Sequence, residues 1–225
     1  MRIHRVQVTK SEATGGRKLM EKNEISKATL GRLPVYLKYL RSLPDEIQTV
    51  SATAVARELG LGEVQVRKDL GALSCTGRPR IGYVTGELID CMERILREDD
   101  GNAVIVGAGK LGKALLDYGG FAGYGIRILA AFDVKVKEEE TVGDKRLLPV
   151  GQLPEFCRRH AVRIGIIAVP AEAAQEVCEV LYRSGVKAMC CFSPCRLHVP
   201  QDAVVQYENM ALSLAHLKMQ LKSQR

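Results

Sequence analysis

The first regular pattern of apolar and polar positions predicts an amphipathic helix. Leu33, Leu37 and Leu40 recur at intervals of four and three residues, which is the spacing of one face of an α-helix. We expect this helix to run over about 26–42. Pro34 falls within that range, and because proline has no amide hydrogen we expect it to lie within about the first turn.

Two shorter helical patterns follow, separated by a glycine-containing turn. Ser51 is a good N-cap for a helix that runs through Leu59, and Gly60 can end that helix in the left-handed conformation. A third helix is predicted over about 63–74. Its inner face is formed by Val66, Leu70 and Leu73. Two short helices joined by a tight turn of this kind form a helix-turn-helix.

The segment after the third helix predicts a β-hairpin. Glycine and proline at 77–79 indicate a turn, and Ile81 and Tyr83 lie on the same face of the strand that follows. In a winged helix such a hairpin, the wing, follows the helix-turn-helix. We expect Arg78 and Arg80 on this hairpin to contact backbone phosphate or the minor groove of DNA.

Polar residues on the outer face of the third helix are candidates for DNA contact. Gln65, Arg67 and Lys68 point away from the predicted core, and recognition helices use such side chains to reach base edges and phosphates in the major groove. The alternative is that Arg67 and Lys68 only solvate a surface helix. The order of helix-turn-helix and then hairpin favours binding to a double-stranded DNA operator.

A glycine-rich loop lies in the second half of the sequence. Residues 103–106 form a continuous apolar run, as in a strand buried on both faces, and a helix is predicted from Lys110 to about Asp117. Between them lies a Gly-x-Gly-x-x-Gly motif in the strand, loop and helix context of a dinucleotide site. The motif consists of Gly107, Ala108, Gly109, Lys110, Leu111 and Gly112.

Each glycine of this motif has a distinct physical function. Gly107 permits the tight turn, Gly109 lets the backbone approach the pyrophosphate, and Gly112 lets the helix pack closely on the strand. A second strand over 126–132 ends at Asp133, which lies 21 residues after the last motif glycine. An acid at this place accepts from the ribose 2′-hydroxyl and repels a 2′-phosphate, which favours NAD(H) over NADP(H) as the cofactor.

Strands and helices continue to alternate toward the C-terminal end. Strands are predicted over 163–169 and 186–192, with a helix over 171–184 between them. Alternation of this kind predicts a doubly wound parallel sheet, in which ligands lie beyond the carboxyl ends of the strands. Val169 and Pro170, and also the 192–194 segment, are therefore expected to border the dinucleotide crevice.

The C-terminal segment predicts a strongly apolar helix from 209 to about 223. Its apolar stripe contains Met210, Leu214, Leu217 and Leu221. A helix with this much apolar surface needs a partner. The partner is either the same domain or a second subunit, since winged helices usually bind two-fold operators as dimers.

The charge distribution indicates the kind of partner, and the hydropathy indicates the cellular compartment. The formal net charge is +7, with 16 Lys and Arg against 11 Asp and Glu in residues 1–95 and 17 against 15 in residues 96–225. A basic N-terminal half suits a polyanionic partner. The sequence contains no secretory signal and no membrane-spanning run. We therefore expect a cytoplasmic protein with no membrane partner.

The cysteines are expected to pack as small apolar residues. They number seven and are scattered through predicted core segments, which does not suit a disulfide framework. Cys190, Cys191 and Cys195 form a cluster, for which metal or redox chemistry is the alternative. No second Cys/His cluster at metal-ligand spacing accompanies it, so no metal is expected.

The predicted fold is of the α/β class. An N-terminal winged helix-turn-helix is followed by a Rossmann doubly wound parallel sheet and by a C-terminal helix that we expect to be exchanged between subunits. Residues 1–24 are expected to be a disordered leader, in which Met20 is an alternative start. The other predicted domains are the winged helix at 25–97, the Rossmann domain at 98–208 and the dimerisation helix at 209–225.

This order of elements resembles the Rex family of redox-sensing transcriptional repressors over about residues 25–221. The segments that carry the resemblance are 25–29, 32–34, 66–70, 82–83, 107–112, 117–118, 132–134, 169–170, 193–194 and 197–200. The resemblance implies a homodimer that exchanges C-terminal helices, binds operator DNA when NADH is scarce and releases it when NADH binds. It also implies that Tyr118 lies near the nicotinamide.

The sequence departs from the family pattern at the switch and at the wing. The family links an arginine on the first helix to an aspartate on the partner's C-terminal helix, and this chain has Lys38 and Ala211 at those positions. In the wing, Pro79 replaces an arginine and Arg80 replaces a glycine. A second hypothesis is therefore a family member that binds NAD(H) but has lost or altered its operator control.

A third hypothesis is an NAD-dependent dehydrogenase. Hydride transfer needs an acid or base beside the nicotinamide. None of His4, His160, His198 and His216 occupies a recognisable catalytic position, and Tyr118 has no lysine partner evident in the sequence. We therefore expect the protein not to be an enzyme.

Overall fold

The computed structural model describes residues 25–73, 82–98 and 101–223. Those up to residue 98 form four helices and two short strands around one hydrophobic core. These elements are α1 (Lys27–Arg41), β1 (Thr49–Val50), α2 (Ala52–Leu59), α3 (Glu63–Ala72), β2 (Tyr83–Val84) and α4 (Thr85–Arg97).

Helix α1 contains a proline in its interior. The expectation that Pro34 lies within the first turn is wrong, because it lies near the middle of the helix. Proline deprives the carbonyl of Leu30 of its helical donor. Leu30 is exposed, so water can hydrogen-bond to that carbonyl. The predicted leucine stripe of α1 is buried, which anchors the helix despite the missing hydrogen bond.

Helices α2 and α3 confirm the predicted helix-turn-helix. The Ser51 hydroxyl caps α2 by accepting from the Ala54 amide, and Gly60 ends the helix with a φ of 63°. Helix α3 ends at Ala72, slightly earlier than predicted. Its buried residues include the predicted Val66 and Leu70, and Leu73 just beyond its end is also buried.

Strand β2 pairs in antiparallel register with β1. Gly82, immediately before β2, has a φ of 92°, and a Cβ there would lie 2.5 Å from the carbonyl oxygen of Val50. The close approach of the two strands therefore requires glycine. The wing residues Arg78 and Arg80 lie outside the described residues, so their contact with DNA stays a prediction.

Helix α4 has no counterpart among the predicted elements. Its apolar residues Leu88 and Met92 are completely buried in the N-terminal core. The helix ends at Arg97, shortly before the first strand of the second domain. It therefore joins the two domains as well as completing the core of the first.

The residues from 101 onward form a seven-stranded sheet flanked by helices, and a C-terminal helix follows the last strand. The strand order is β5-β6-β4-β3-β7-β8-β9, and every neighbouring pair is parallel except β5 with β6. This order confirms the predicted doubly wound sheet. The elements are β3 (Gly101–Val106), α5 (Lys110–Asp117), β4 (Ile126–Asp133), β5 (Glu140–Val142), β6 (Lys145–Pro149), α6 (Leu153–Arg159), β7 (Ile164–Ile167), α7 (Ala171–Arg183), β8 (Ala188–Cys191), β9 (Val204–Tyr207) and α8 (Met210–Ser223), with 3-10 turns at Gly119–Tyr124 and Val150–Gln152.

Both faces of the sheet are covered. Val104 and Val106 on β3 belong to one hydrophobic cluster, whereas Ile105 between them belongs to another. Alternate residues of a strand point to opposite faces. The central position of β3 therefore accounts for the continuous apolar run from which the strand was predicted.

Helix α8 presents its apolar stripe at the surface. Met210, Leu214, Leu217 and Leu221 are between 57% and 68% exposed. The sequence left open whether the stripe packs on its own domain or on a second subunit. Within the described part of the chain, its own domain does not cover it.

None of the helices described is both long enough and apolar enough to cross a membrane.

Candidate functional site

The glycine loop turns the chain from β3 into α5. Gly107 has a φ of 100°, and a Cβ there would lie 2.5 Å from the carbonyl oxygen of Ala168. A Cβ on Gly112 would collide with the carbonyl of Gly107. The packing of the protein itself therefore requires both of these glycines.

Gly109 is different, because no atom of the described chain requires it to be glycine. A Cβ at this position meets nothing within 4 Å, and its φ of −66° suits any residue. The missing side chain leaves room for a ligand. The first intrahelical bond of α5 is donated by the Lys113 amide. The amides of 109–112 can therefore donate to a phosphate at the positive end of the helix dipole.

A cavity of about 810 Å³ lies beyond the carboxyl ends of β3, β4 and β7. This volume is within the range of small-molecule sites. The structure brings together six of the predicted cofactor residues in its lining, namely Gly107, Ala108, Gly109, Asp133, Val169 and Pro170. The other four predicted cofactor residues, Lys110, Leu111, Gly112 and Tyr118, do not line the cavity.

Asp133 ends β4 and lies against the glycine loop. Its Oδ2 accepts from the Ala108 amide at 2.7 Å, and its Oδ1 accepts from the Lys135 amide at 2.8 Å. Each carboxylate oxygen has a further lone pair and can also accept from a hydroxyl. The carboxylate can therefore also accept from a ligand hydroxyl at the edge of the cavity, and its contact with a ribose stays a prediction.

The cavity wall also contains a cation that was not predicted from the sequence. Lys113 lines the wall and lies in the first turn of α5. An ammonium group there can form a charge-assisted hydrogen bond to a phosphate held by the loop. A lysine in the first turn of the helix that follows a glycine loop is the sequence feature that could have identified it.

Val169 and Pro170 form an apolar part of the cavity wall. The buried hydroxyl of Ser193 donates to the Val169 carbonyl at 2.6 Å. The 192–194 segment, expected to border the crevice, does not line the cavity. It holds the wall in place from behind.

Tyr118 lies at the C-terminal end of α5, whereas the glycine loop lies at its N-terminal end. The side chain is 61% exposed and packs edge-on against Phe121, with ring centroids 5.1 Å apart. Its position beside a nicotinamide stays a prediction, because it does not line the cavity of the single chain.

A buried carboxylate fastens α3 to α1. Asp69 is 1% exposed and accepts five hydrogen bonds, two of them from the Arg32 guanidinium at 2.6 and 2.9 Å. The other three donors, at 2.7 to 2.9 Å, are Thr29, Tyr36 and Gln65. This network fixes the angle between the helix predicted to recognise DNA and the core helix behind it.

The network sets the protonation of its members. Burial raises the pKa of the Asp69 carboxyl, but the hydrogen bonds, led by those from Arg32, outweigh burial and hold the pKa at about 2. Burial, and then the hydrogen bond to Asp69, raises the pKa of Tyr36 to about 12. At neutral pH the carboxylate is therefore ionised and the phenol is a hydrogen-bond donor.

The predicted DNA-binding residues of α3 are exposed, and two of them have protein partners. Gln65 donates to Asp69 at 2.9 Å, and Arg67 pairs with Glu63 one turn earlier on the same helix. Lys68 is also exposed. An exposed ion pair is weak, so Arg67 can exchange Glu63 for a phosphate or a base at little cost.

The two predicted switch positions are both exposed. Lys38 lies on α1 and Ala211 on α8. The methyl group of Ala211 cannot accept a hydrogen bond or carry a charge. The ion pair of the family therefore cannot form between these two side chains, whatever the arrangement of subunits.

The cysteine cluster has the properties of apolar packing. Cys191 is buried, and burial raises the pKa of the Cys190 thiol to about 11. Such thiols are protonated at neutral pH and react slowly. Among residues 25–73, 82–98 and 101–223, no group of three or more His, Cys, Asp or Glu is placed to hold a metal ion.

Two family models match the chain. The family described as "Putative DNA-binding protein N-terminus" matches residues 24–71, which include α1, α2 and all but the last residue of α3. The family described as "CoA binding domain" matches residues 98–195, which extend from β3 to just beyond β8. The second match begins directly after α4 ends at Arg97, and α4 itself lies between the two matches.

The fold and the site together define a class of protein, in which a DNA-binding domain is joined to a Rossmann domain with a ligand cavity. The chain is 36% identical over 205 residues to the redox-sensing transcriptional repressor Rex of Desulforamulus reducens, covering 90% of this chain and 98% of the relative. It is 38% identical over 202 residues to Rex of Carboxydothermus hydrogenoformans, covering 88% and 97%. The chain belongs to the Rex family of redox-sensing transcriptional repressors.

Solved structures support this assignment. The crystal structure of RSP, a Rex-family repressor, superposes with a TM-score of 0.75 at 28% identity, covering 89% of this chain and 95% of RSP. RSP in complex with β-NAD⁺ and operator DNA gives a TM-score of 0.76 at 29% identity, covering 89% and 94%. These relatives are named as repressors, so the comparisons give the dehydrogenase hypothesis no support.

Proposed function

We propose that this chain is a redox-sensing transcriptional repressor that binds operator DNA as a homodimer and releases it when NADH binds its Rossmann domain. One observation carries the proposal. A glycine loop left open at Gly109 and a helix-turn-helix held by Asp69 belong to one chain of the Rex family. RSP has been crystallised with β-NADH and, separately, with β-NAD⁺ and operator DNA. We place the protein in the cytoplasm, where it meets both DNA and NADH.

The chemistry of the cavity supports NAD(H) as the ligand. The amides of 109–112, which precede the first intrahelical donor of α5, suit the pyrophosphate, and Asp133 suits an unmodified adenosine ribose. Coenzyme A and NADP(H) carry a phosphate on that ribose, which the Asp133 carboxylate disfavours. The bound NADH would supply the redox signal. It can cause release only if the chain binds NADH more tightly in its released state than in its DNA-bound state.

An operator mobility shift tests the proposal directly. The purified chain is mixed with a palindromic duplex from a relative's operator at low salt, with NADH, with NAD⁺ and with neither. Binding that NADH reverses supports the proposal. Binding that NADH does not reverse supports the second hypothesis, a member with lost or altered operator control. Absence of binding to this duplex and to its sequence variants would overturn DNA recognition.

Replacing Arg67 with alanine should weaken operator binding by about tenfold, because each base or phosphate contact of this kind contributes about 1–3 kcal/mol. Arg183→Ala is a matched control. Arg183 is also exposed and pairs with a glutamate one turn earlier, Glu179, but it lies on α7 of the Rossmann domain. Fluorescence anisotropy with labelled operator gives both affinities. Equal affinities for the two variants would show that Arg67 only solvates α3.

Dimerisation is proposed to use the exposed stripe of α8. Leu217→Glu should weaken self-association by about tenfold or more, because the charge would be buried in the apolar interface. Lys218→Glu, which also introduces a glutamate but at a polar position next to it, should leave association unchanged. Sedimentation equilibrium of both variants measures the difference. A dimer unaffected by Leu217→Glu would place the interface elsewhere.

A further inference from the structure

Arg41 joins the two domains within one chain. It lies in the last turn of α1, and its Nη2 donates both to Glu93 on α4 at 2.6 Å and to the Gly123 carbonyl at 3.0 Å. Its guanidinium also lies over the Tyr124 ring, 5.7 Å from the ring centroid. Gly123 and Tyr124 belong to the 3-10 turn between α5 and β4. We call these four residues, Arg41, Glu93, Gly123 and Tyr124, the Arg41 junction.

The Arg41 junction is part of a close domain contact. Tyr124 packs against the hydrophobic core of the N-terminal domain, although it lies in the Rossmann part of the chain. Gly125 has a φ of 74°, and a Cβ there would lie 2.5 Å from the carbonyl oxygen of Leu96 near the end of α4. The backbone of the turn therefore lies directly against the last residues of α4.

The other end of this turn leads to the ligand cavity. Helix α5 begins at the glycine loop, has eight residues and is followed immediately by Tyr118 and the turn. Phe121 in the turn packs both against Tyr118 and against the Rossmann core. If a bound phosphate displaced the N-terminus of this eight-residue helix, the displacement would be carried to the turn and its carbonyls.

We propose that Arg41 is the positioning residue that couples the occupancy of the dinucleotide cavity to the orientation of the DNA-binding domain in this chain. The inference rests on the proposed function, since it concerns how NADH causes release. It assigns the coupling to contacts between α1, α4 and the turn of one chain. The positions Lys38 and Ala211 cannot supply it by pairing with each other.

The geometry makes the contact sensitive to small movements. The Arg41–Gly123 bond is 3.0 Å long, and a charge-assisted hydrogen bond is largely lost when donor and acceptor separate by about a further ångström. The bond to Glu93 lies within the N-terminal domain and survives such a shift. Movement of the turn would therefore remove one of the two hydrogen-bond partners of this nitrogen. It would free the DNA-binding domain, which contains α1, to change its orientation relative to the Rossmann domain.

The test is the ratio of operator dissociation constants with and without saturating NADH. For the wild-type chain we expect a ratio of about tenfold or more, which is typical of coupled sites. Arg41→Gln should reduce it to below about twofold, with the affinity for operator alone and the affinity for NADH each little changed. A merely structural role would shift the single affinities or the unfolding temperature and leave the ratio in place.

Arg97→Gln is the matched control. Arg97 pairs with the same Glu93, at 3.1 Å, and removing it changes the charge equally. It lies on α4, so its pair with Glu93 joins no two domains, and the variant should keep the wild-type ratio. Glu93→Gln is a second variant that leaves the Arg41–Gly123 bond possible, and it should give an intermediate ratio.

The outcomes separate the two proposals. An Arg41→Gln variant that releases operator as fully as the wild type overturns the role of Arg41 and leaves the proposed function standing. A wild-type chain that binds operator but shows a ratio near one overturns the proposed NADH response itself, and the role of Arg41 falls with it. An equal loss of coupling in Arg97→Gln would assign the effect to charge on α4 and overturn the assignment to Arg41.

Discussion

Substituting Asp69 with alanine is expected to destabilise the N-terminal domain by about 3 kcal/mol. Removing one partner of a buried ion pair costs about 3–5 kcal/mol, and the lower value applies because Arg32 is 27% exposed and can recover water. Tyr36 and Thr29 would lose an acceptor in a buried site. A small domain has a free energy of unfolding of only about 5–15 kcal/mol, so operator binding should fail at moderate temperature.

Two measurements separate this effect from loss of a direct DNA contact. Thermal unfolding followed by circular dichroism should show a lower transition for Asp69→Ala, whereas NADH binding in the cavity should be retained. Asp90→Ala removes an exposed aspartate from α4 and should leave the transition within about 0.5 kcal/mol of the wild type. An Asp69→Ala chain as stable as this control would show that the network contributes little.

The same carboxylate predicts the response to acid. The pKa of Asp69 is about 2 in the folded chain, below its ordinary value of 3.8. A lowered folded pKa stabilises the protein at any pH above the unfolded value, and the stabilisation is lost as pH falls through the folded value. For Asp69 this amounts to about 2 kcal/mol, lost between about pH 4 and pH 2. Acid unfolding of Asp69→Asn should lack this component.

The Rossmann part could be predicted well because its determinants are local. The strand over 103–106, the loop and the helix from Lys110 to Asp117 follow from neighbouring residues, and α5 has those bounds in the structure. Asp133 was identified by spacing alone and lies at the cavity. The short strands β5, β6 and β9 were not predicted. Strands β5 and β9 are the two edges of the sheet and have one neighbour each, and β6 lies next to β5. Apolar runs are brief in this part of the sheet.

In the DNA-binding domain, the contacts between helices could not be predicted from the spacing of residues in the sequence. Asp69 lies in an apparently polar segment, and only the tertiary fold brings it to three partners on α1, more than thirty positions earlier in the chain. The same fold engages Gln65, which the sequence assigned to DNA alone. Helix α4 was not predicted, although its apolar positions Leu88 and Met92 are four residues apart, as on one face of a helix. The Arg41 junction likewise depends on a contact 82 residues apart in sequence.

Replacing Gly109 with valine is expected to lower the affinity for NADH by about 100-fold, which corresponds to about 2.7 kcal/mol, without unfolding the chain. The backbone at Gly109 suits a branched residue, and the added carbons would enter space that contains no described protein atom. They would occupy the place where the pyrophosphate approaches the loop. Isothermal titration with NADH measures the loss, and operator binding without NADH should remain at the wild-type level.

Two other glycine substitutions serve as controls for this prediction. Gly86→Val adds the same group at an exposed position on α4 where a Cβ also meets nothing within 4 Å, and it should leave NADH affinity unchanged. Gly112→Ala adds only a methyl group, but its Cβ would collide with the Gly107 carbonyl, so it should lower both affinity and stability. Loss of NADH affinity in Gly109→Val at unchanged stability would show that the glycine serves the ligand and not the fold. Full affinity in Gly109→Val would mean that the dinucleotide binds away from the loop, which would remove the physical basis for assigning the cavity to NAD(H).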